Sequence, residues 1–354
     1  MRAWEENVRK VIPYVPGEQP KQKDIIKLNT NENPYPPAPG VQKALEQFSA
    51  LSYDTLRKYP DPSADVLVES LATYYHLEKD QVFVGVGSDD VLAMAFLTFF
   101  NSSRPILFPD ITYSFYDVWA DLFHIPYERQ PLDERFRIVK SDYYKKNGGV
   151  IFPNPNAPTG VLMELDEIED IIKHNQDVIV IVDEAYIDFG GTSALPLIEK
   201  YDNLLIVQTF SKSRSMAGMR IGYAMGNKTL IKYLNDVKYS FNSYTMNQTV
   251  LAAGPAAIED EAYFQGTRKK IIETRERVKK ELRELGFAFE DSMSNFLFVT
   301  HEKYMARDIF EALKRSRIYV RYFNHPRIDN HLRISIGTDE EMDCLIKFLK
   351  EYLK

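Results

Sequence analysis

The stretch Val178-Ile179-Val180-Ile181-Val182-Asp183 decides how this chain folds. Five consecutive β-branched residues predict a strand that is covered on both faces, because a half-exposed strand would alternate apolar and polar residues. A second apolar run, Leu204-Leu205-Ile206-Val207, follows further along the chain. Two such runs are typical of neighbouring strands in a buried parallel sheet.

The segments before and after these two runs also alternate between predicted strands and predicted helices. Further strands are predicted at Gln81–Val86, Pro105–Phe108, Val150–Phe152 and Arg220–Met225. Helices are predicted at Val41–Ser49, Ala64–Tyr75, Asp89–Phe100, Tyr113–Phe123 and Leu165–Lys173. This alternation indicates an α/β fold with a mostly parallel sheet and helices on both of its sides.

The pattern changes at both ends of this region. After about residue 228, a long helical stretch runs to Leu285, and a smaller α+β unit follows. Its predicted elements are strands at Phe296–Val299, Ile318–Tyr322 and Leu332–Ile336 and a helix at Glu340–Tyr352. Seven prolines within residues 12–39 predict an extended arm rather than a helix. We therefore predict an arm at 1–40, a large domain at 41–245 and a small domain at 246–354.

Composition narrows the classes of function. The 354 residues carry a net charge of −7 without a basic tract, which argues against nucleic acid as a partner. No apolar stretch approaches the roughly 20 residues that span a bilayer, and the N-terminus lacks a signal-peptide core, so a cytoplasmic protein without a membrane partner is expected. The one cysteine, Cys344, excludes an intramolecular disulfide. The six histidines form no metal-binding motif, so no metal site is expected.

Three side chains near the two central runs point to one chemistry. Asp183 ends the first run, Lys212 follows the second, and Arg220 comes eight residues after Lys212. A lysine at a strand end can attack an aldehyde, an aspartate can pair with a protonated ring nitrogen, and an arginine can hold a phosphate as a fork. Pyridoxal phosphate carries an aldehyde, a pyridinium nitrogen and a phosphate, so the three residues fit that cofactor.

A glycine-containing turn offers a phosphate site. In Val84-Gly85-Val86-Gly87-Ser88-Asp89-Asp90, Gly87 allows close approach of an anion, and the amides of Ser88 and Asp89 begin a helix whose N-terminus favours negative charge. Ser88 or Asp89 could equally serve only as a helix cap. Asp90 stands where a dinucleotide fingerprint requires its third glycine, which disfavours a nicotinamide oxidoreductase.

Two more motifs complete the set. The turn Asn154-Pro155-Asn156-Ala157-Pro158-Thr159-Gly160 offers an amide donor for a ring oxygen, and Asp183-Glu184-Ala185-Tyr186 adds a tyrosine. Each motif alone also fits a structural role: a turn, a helix cap or ion pair, a core tyrosine, a solvated lysine or a surface arginine. Their succession after four separate strands favours a joint cofactor site.

In this order, the motifs NPNAPTG, DEAY and SK and the lysine-to-arginine spacing resemble the fold-type I pyridoxal-phosphate-dependent aminotransferases over nearly the whole length. The resemblance implies a large domain with a mostly parallel seven-stranded sheet and a smaller α+β domain. Four segments are most similar to the branch that acts on L-histidinol phosphate: Leu28–Pro34, Lys58–Asp61, Phe210–Lys212 with Ala217–Arg220, and Leu332–Thr338.

The resemblance also implies a role for each matching residue. Lys212 would bond to the cofactor and move the proton, Asp183 would keep the ring nitrogen protonated, and Tyr186 would bond to the ring oxygen. The cofactor-binding residues would be Ser88, Asp89, Tyr113, Asn156, Asp183, Tyr186, Ser211, Lys212 and Arg220. Tyr59 would reach the phosphate from a partner subunit, which implies a homodimer. Ala157 stands where many relatives have asparagine, so Asn156 is the candidate amide donor to the ring oxygen.

The substrate residues implied are Tyr14, Asn33, Arg321 and Arg333. Arg321 and Arg333 lie on two predicted strands and could converge on one anion, which suits both histidinol phosphate and glutamate. A surface ion pair for Arg321 and arm packing for Tyr14 remain alternatives. The implied reaction converts L-histidinol phosphate and 2-oxoglutarate into imidazole acetol phosphate and L-glutamate, in L-histidine biosynthesis.

Other functions on a related scaffold share these motifs. An aromatic or broad-specificity aminotransferase shares every cofactor motif, and a phosphorylated amino-acid decarboxylase shares many. A regulatory module that binds pyridoxal phosphate without turnover usually carries a DNA-binding domain. The sequence leaves no room for such a domain before Val41.

Overall fold

The computed structural model describes residues 2–354, apart from the side chains of residues 52 and 53. Its strands are β1 (Ile26–Lys27), β2 (Val82–Gly85), β3 (Ile106–Pro109), β4 (Tyr127–Gln130), β5 (Val150–Pro153), β6 (Val180–Asp183), β7 (Leu204–Thr209), β8 (Gly222–Gly226), β9 (Phe287–Ala288), β10 (Phe296–His301), β11 (Ile318–Tyr319), β12 (Arg321–Tyr322) and β13 (Leu332–Ser335). Its helices are α1 (Pro39–Thr55), α2 (Asp65–Tyr75), α3 (Ser88–Phe99), α4 (Phe115–Phe123), α5 (Leu165–Lys173), α6 (Lys228–Phe241), α7 (Gln248–Glu259), α8 (Glu261–Glu284), α9 (Ala306–Arg315) and α10 (Asp339–Tyr352).

The large sheet has seven strands in the order β2-β8-β7-β6-β5-β3-β4. All neighbouring pairs are parallel except those of β8, which runs antiparallel to both β2 and β7. The α/β fold with a mostly parallel seven-stranded sheet is therefore confirmed. Its order places β6 and β7, the two runs that dominate the sequence, at the centre, where both faces are covered.

Successive residues of the central strands enter different cores. Val180 and Val182 of β6 pack in one cluster with residues of α1, α2, α5 and α7. Ile181 of β6 packs in the opposite cluster with residues of α3, α4 and α6. Because side chains alternate between the faces of a strand, an unbroken apolar run is what two covered faces require.

The small domain is built on the antiparallel sheet β12-β13-β10-β9, and its core includes residues from α8, α9 and α10. Strand β1 of the arm pairs with β11, so this part of the arm belongs structurally to the small domain. Helix α7 packs instead in the core of the large sheet through Val250 and Ala253. The division of the chain at residues 245/246 stays a prediction.

Some elements differ from the sequence expectation. Strand β4 was not predicted, because Tyr127-Glu128-Arg129-Gln130 has no apolar run and lies at the edge of the sheet. The predicted strand Ile318–Tyr322 is divided into β11 and β12, which pair in different sheets. Among the described residues, no helix is both long and apolar enough to cross a membrane.

Candidate active site at the carboxyl edge of the large sheet

The register of the sheet brings three loops together. Gly222 of β8 pairs with Gly85 of β2 on one side and with Thr209 of β7 on the other. The turn after Gly85, the segment before Gly222 and the segment after Thr209 therefore emerge side by side. These loops carry the glycine turn, Arg220 and Lys212. Residues more than a hundred positions apart in the sequence therefore lie in one site.

The glycine turn and Arg220 form a cup suited to an anion. Gly87 has φ of +86°, and a Cβ placed there would lie 2.4 Å from Nη2 of Arg220, so only glycine admits the guanidinium at this distance. Gly87 is the N-cap of α3, and no described side chain caps that helix. The main-chain amides of Ser88 and Asp89 thus lie at the start of α3, beside the guanidinium of Arg220. This arrangement favours binding of a phosphate. In the structure Nη2 of Arg220 pairs with Oδ2 of Asp89 at 3.1 Å.

Asp183 is buried at the end of β6. Its Oδ2 accepts a hydrogen bond of 2.9 Å from the hydroxyl of Tyr116, and its Oδ1 accepts one of 3.2 Å from the amide of Ala185. Burial raises the pKa of Asp183 to about 6, because the charged form has lost its water. A cationic partner in the site would restore the ionised form, and a protonated ring nitrogen is such a partner.

Lys212 is held by residues of the N-terminal arm. Its Nζ donates to the carbonyl of Thr30 at 3.3 Å and lies 5.6 Å from the centre of the Tyr186 ring. Asn33 donates through Nδ2 to the carbonyls of Lys212 at 3.0 Å and Ser213 at 3.1 Å. Asn33, expected to bind substrate, therefore fixes the main chain that carries the lysine.

The side-chain amide of Asn156 makes its hydrogen bonds within the protein. Nδ2 of Asn156 donates to the carbonyl of Ile111 and to the hydroxyl of Thr159, both at 3.0 Å, which uses both of its amide protons. The expectation that Asn156 donates to a ring oxygen stays a prediction, and in this structure both of its amide protons are bound within the protein. Its amide is required to close the turn, which leaves Tyr186 as the remaining candidate donor.

Aromatic side chains line the entrance. The Tyr113 hydroxyl donates to Oδ1 of Asp89 at 2.6 Å, and burial together with that carboxylate raises the pKa of Tyr113 well above its usual value. Its ring is tilted against Phe115 at 5.5 Å. Tyr14 of the arm stacks on Phe115 with ring centres 4.2 Å apart. The arm therefore lies against the aromatic group that contains Tyr113.

Two guanidinium groups face the site from the small domain. Nη2 of Arg333 donates to the carbonyl of Asn29 at 3.2 Å, while its buried Nε has no partner among the described residues. Arg321 donates to the carbonyl of Val15 at 3.5 Å. Burial lowers the pKa of Arg333, and the charge of Arg321 lowers it further. The two cations are close enough to repel each other, and no described carboxylate pairs with either.

The three parts of the site suit the three functional groups of pyridoxal phosphate: the cup suits the phosphate, Lys212 the aldehyde and Asp183 the ring nitrogen. Gly87 leaves room for a guanidinium at a helix N-terminus, and the buried Asp183 forms no ion pair with any described residue. These observations fit the cofactor. On a seven-stranded α/β sheet, they define the class of the protein as a fold-type I pyridoxal-phosphate-dependent enzyme.

Comparison with known proteins places the chain within this class. The family model described as aminotransferase class I and II matches residues 23–349, so the chain belongs to this family. It is 54% identical over 352 residues to a histidinol-phosphate aminotransferase of Lactococcus lactis subsp. cremoris, covering 99% of this chain and 98% of the relative. It is 53% identical over 351 residues to histidinol-phosphate aminotransferase 1 of Hydrogenovibrio crunogenus, with coverage of 99% and 98%.

A solved structure shows the same fold. The histidinol-phosphate aminotransferase of Sinorhizobium meliloti, crystallised in complex with pyridoxal-5'-phosphate, matches with a TM-score of 0.84 at 24% identity. The match covers 93% of this chain and 90% of that chain. This match confirms the fold expected from the sequence, and the expected cofactor is supported by membership of the aminotransferase class I and II family.

Sequence reasoning missed several residues of the site. Thr30, Asn31 and Tyr116 contact Lys212, Tyr186 and Asp183 respectively. Thr30 and Asn31 lie in the matching segment Leu28–Pro34, and Tyr116 lies three residues after Tyr113, but none of the three was assigned a role. A search for uncharged polar side chains beside each motif would have found them as candidates, but only the fold assigns their partners.

Proposed function

We propose that this chain transfers the amino group of L-histidinol phosphate to 2-oxoglutarate, producing imidazole acetol phosphate and L-glutamate in L-histidine biosynthesis. The observation that carries the proposal is the pair of guanidinium groups, Arg321 and Arg333, which have no described carboxylate partner and lie beside the segment that holds Lys212. The identity of more than 50% to the two named relatives over nearly the whole chain supports the same substrate.

The charge of the guanidinium pair suits both substrates. Histidinol phosphate has a phosphate but no α-carboxylate, whereas glutamate and 2-oxoglutarate have two carboxylates. A guanidinium fork accepts either anion, and the buried Nε of Arg333 still lacks an acceptor among the described residues. Binding of an anion would satisfy this donor and relieve the repulsion between Arg321 and Arg333.

The residues around the cofactor site divide the chemistry among them. When bound, pyridoxal phosphate supplies the electron sink that makes the substrate carbon acidic and carries the amino group between the two half-reactions. Asp183 would pair with the protonated ring nitrogen, and Arg220 with the α3 N-terminus would hold the phosphate. Lys212 would move the proton between the substrate carbon and the cofactor carbon.

We further propose that the enzyme is a homodimer whose Tyr59 completes the partner's phosphate site. Tyr59 is 80% exposed and stacks on Tyr244 with ring centres 4.6 Å apart. Three further apolar side chains are exposed: Leu51 in α1, Leu56 directly after α1 and Phe241 at the end of α6. A surface of this composition is typical of a protein interface. Light scattering should give about twice the chain mass of 41.0 kDa, and a monomeric mass would contradict the proposal.

We also propose a cytoplasmic location, supported by the biosynthetic role of the family's small-molecule substrates. Fractionation of cells that produce the protein should recover it with the cytoplasmic enzymes. Recovery in the membrane or secreted fraction would contradict this location.

The central experiment measures L-glutamate formation from 2-oxoglutarate with three amino donors. L-Histidinol phosphate should exceed both L-histidinol and L-phenylalanine in kcat/KM by about 100-fold or more, since a lost charged contact costs roughly 2–5 kcal/mol. Lys212→Ala should give no multiple turnover, and Lys173→Ala, at an exposed lysine of α5, is the matched control. Comparable rates with phenylalanine would indicate a broad-specificity aminotransferase, and release of carbon dioxide would indicate a decarboxylase.

A further inference from the structure

The Tyr186 hydroxyl is the remaining candidate donor to the ring oxygen, and Asn31 is its described partner. Nδ2 of Asn31 donates to the Tyr186 oxygen at 2.9 Å. Tyr186 is only 9% exposed, its ring meets Phe296 edge-on, and its hydroxyl donates to no described residue. Because the oxygen already accepts from Asn31, the hydroxyl proton is directed away from Asn31 and remains available.

The orientation of the Asn31 amide is fixed by Ser335. The Ser335 hydroxyl accepts a hydrogen bond of 2.9 Å from the Asn31 main-chain amide and donates its only proton to Oδ1 of Asn31 at 3.0 Å. The oxygen of the side-chain amide is therefore directed to Ser335, and the nitrogen is directed to Tyr186. In this arrangement each atom of the Asn31 side-chain amide has a partner of the complementary kind.

The main chain of Asn31 is held just as firmly. Asn31 is 1% exposed, its carbonyl accepts from Nδ2 of Asn295 at 2.9 Å, and its φ is +56°. Asparagine, aspartate and glycine tolerate this left-handed conformation better than other residues. Aspartate and glycine are therefore substitutions that change the side chain without straining the backbone.

The asparagine turn offers no competing donor to the cofactor ring. Asn156 uses both amide protons within the protein, on Ile111 and Thr159. Asn154 donates to the carbonyl of Met163 and accepts from its amide, so it is tied to the turn in both directions. A ring oxygen in this site would therefore depend on Tyr186.

We propose that Asn31 is a positioning residue that directs the hydroxyl proton of Tyr186 onto the ring oxygen of the bound cofactor. The inference rests on the proposed cofactor site. It adds to that site a hydrogen-bond network in which Asn31 comes from the arm and Ser335 from the small domain. Asn31 does not touch the reacting atoms, and its effect passes through Tyr186.

The proposal has a spectroscopic consequence. With the cofactor bound, a hydrogen bond from the Tyr186 hydroxyl to the ring oxygen would stabilise negative charge on that oxygen and so weaken its hold on the proton of the Lys212 nitrogen. Loss of the tyrosine donor should therefore make the Lys212 nitrogen hold its proton to higher pH. The pH midpoint of the visible absorbance of the protein–cofactor complex reports this change.

The test compares Tyr186→Phe, Asn31→Asp and Asn31→Gly in cofactor-loaded protein. Tyr186→Phe should raise the midpoint by about one pH unit, which corresponds to one lost hydrogen bond to a charged group. Asn31→Asp should raise it about as much, because the tyrosine proton would turn to the new carboxylate. Asn31→Gly should give a smaller rise in the same direction, since the hydroxyl is then free but no longer aligned.

The double variant Tyr186→Phe/Asn31→Asp separates the two ways in which aspartate could act. If Asn31 works through Tyr186, the midpoint of the double variant should equal that of Tyr186→Phe alone. Additive shifts would show a direct effect of the new charge and would overturn the proposal. An unchanged midpoint in Asn31→Asp and Asn31→Gly would overturn it as well.

Cofactor affinity supplies a second readout that is independent of turnover. Titration of cofactor-free protein with pyridoxal phosphate should show weaker binding in Asn31→Asp by about the same factor as in Tyr186→Phe. Failure of the unaltered protein to bind the cofactor would contradict the proposed function itself. Normal binding by that protein with no effect of the Asn31 variants would contradict only the role of Asn31.

Discussion

The hydroxyl of Tyr116 lies 2.9 Å from Oδ2 of Asp183 and donates a hydrogen bond to it. Tyr116 is on α4 and Asp183 ends β6, so a helix from one face of the sheet orients a carboxyl group at its edge. Burial raises the pKa of Tyr116 well above its usual value, and the neighbouring carboxylate raises it further. The tyrosine therefore stays protonated and remains a donor throughout the physiological pH range.

Asp183→Asn should retain the fold but lose the charge that holds a protonated ring nitrogen. We expect kcat to fall by about 100-fold or more, as for other preorganised charges at a reacting centre. Tyr116→Phe is the matched variant, because it removes one hydrogen bond but leaves the carboxylate, and it should cost about tenfold or less. Both are measured at saturating cofactor, and near-normal turnover in Asp183→Asn would refute the role of Asp183.

Gly87→Ala should weaken binding of the cofactor. The new Cβ would lie 2.4 Å from Nη2 of Arg220 at a φ of +86°, so the guanidinium must leave the phosphate cup. We expect the dissociation constant of pyridoxal phosphate to rise by at least about tenfold, or roughly 1.4 kcal/mol. Gly218→Ala is the control, because a Cβ there has no neighbour within 4 Å. Equal affinities of the two variants would show that the cup does not require Gly87.

Arg333→Lys tests whether the small domain recognises substrate through a fork. Lysine keeps the charge but not the paired donors of the guanidinium, so kcat/KM should fall by about 10- to 100-fold for L-histidinol phosphate and for L-glutamate alike. The visible spectrum of the protein–cofactor complex should be unchanged before substrate is added. A loss confined to one of the two substrates would show that Arg333 does not serve both.

Glu184 should make the protein less stable as pH rises. Its buried carboxylate accepts from Ser193, Ala194 and Gln208. Even so, burial raises its pKa from 4.5 to about 7. The folded form thus binds the proton more tightly than the unfolded form, so the contribution to stability is full below pH 4.5 and is lost between pH 4.5 and 7. The loss amounts to about 3 kcal/mol.

Glu184→Gln should remove this part of the pH dependence. Denaturant midpoints of the variant and of the unaltered protein, measured at pH 5 and pH 8, isolate the contribution of Glu184. The midpoint should fall less for the variant between the two pH values, whatever the cost of the altered hydrogen bonds at either one. Parallel pH profiles would mean that Glu184 does not titrate in this range.

The fold was predictable where hydrophobic pattern dominates. Strands β6 and β7 are buried on both faces, so almost every residue must be apolar and the pattern is unambiguous. Strand β4 escaped prediction because an edge strand needs no such run. The position of α7 in the large-domain core also escaped, because a helical pattern does not say which core it enters.

Some residues of the candidate site were predictable from the sequence, and others were not. Asp183 and Lys212 were predictable because they lie at or just after the ends of parallel strands, which meet at one edge. Arg220 was predictable from its spacing to Lys212 and its place at the start of the next predicted strand. The roles of Asn31, Asn33 and Asn156 were not predictable, because a side-chain amide can bind many partners with similar energy. The amide of Asn33 binds the main chain of Lys212, 179 residues away, and local sequence carries no record of that contact.

The sequence by itself determined the layered sheet, the class of cofactor and the residues that carry its chemistry, because apolar runs and charged strand ends are local properties. Only the tertiary structure decided which amide donates, which carbonyl holds Lys212 and which arginines have no described carboxylate partner. Those features depend on distances between segments far apart in the chain, and hydrogen bonds form only when such segments meet within about 3 Å.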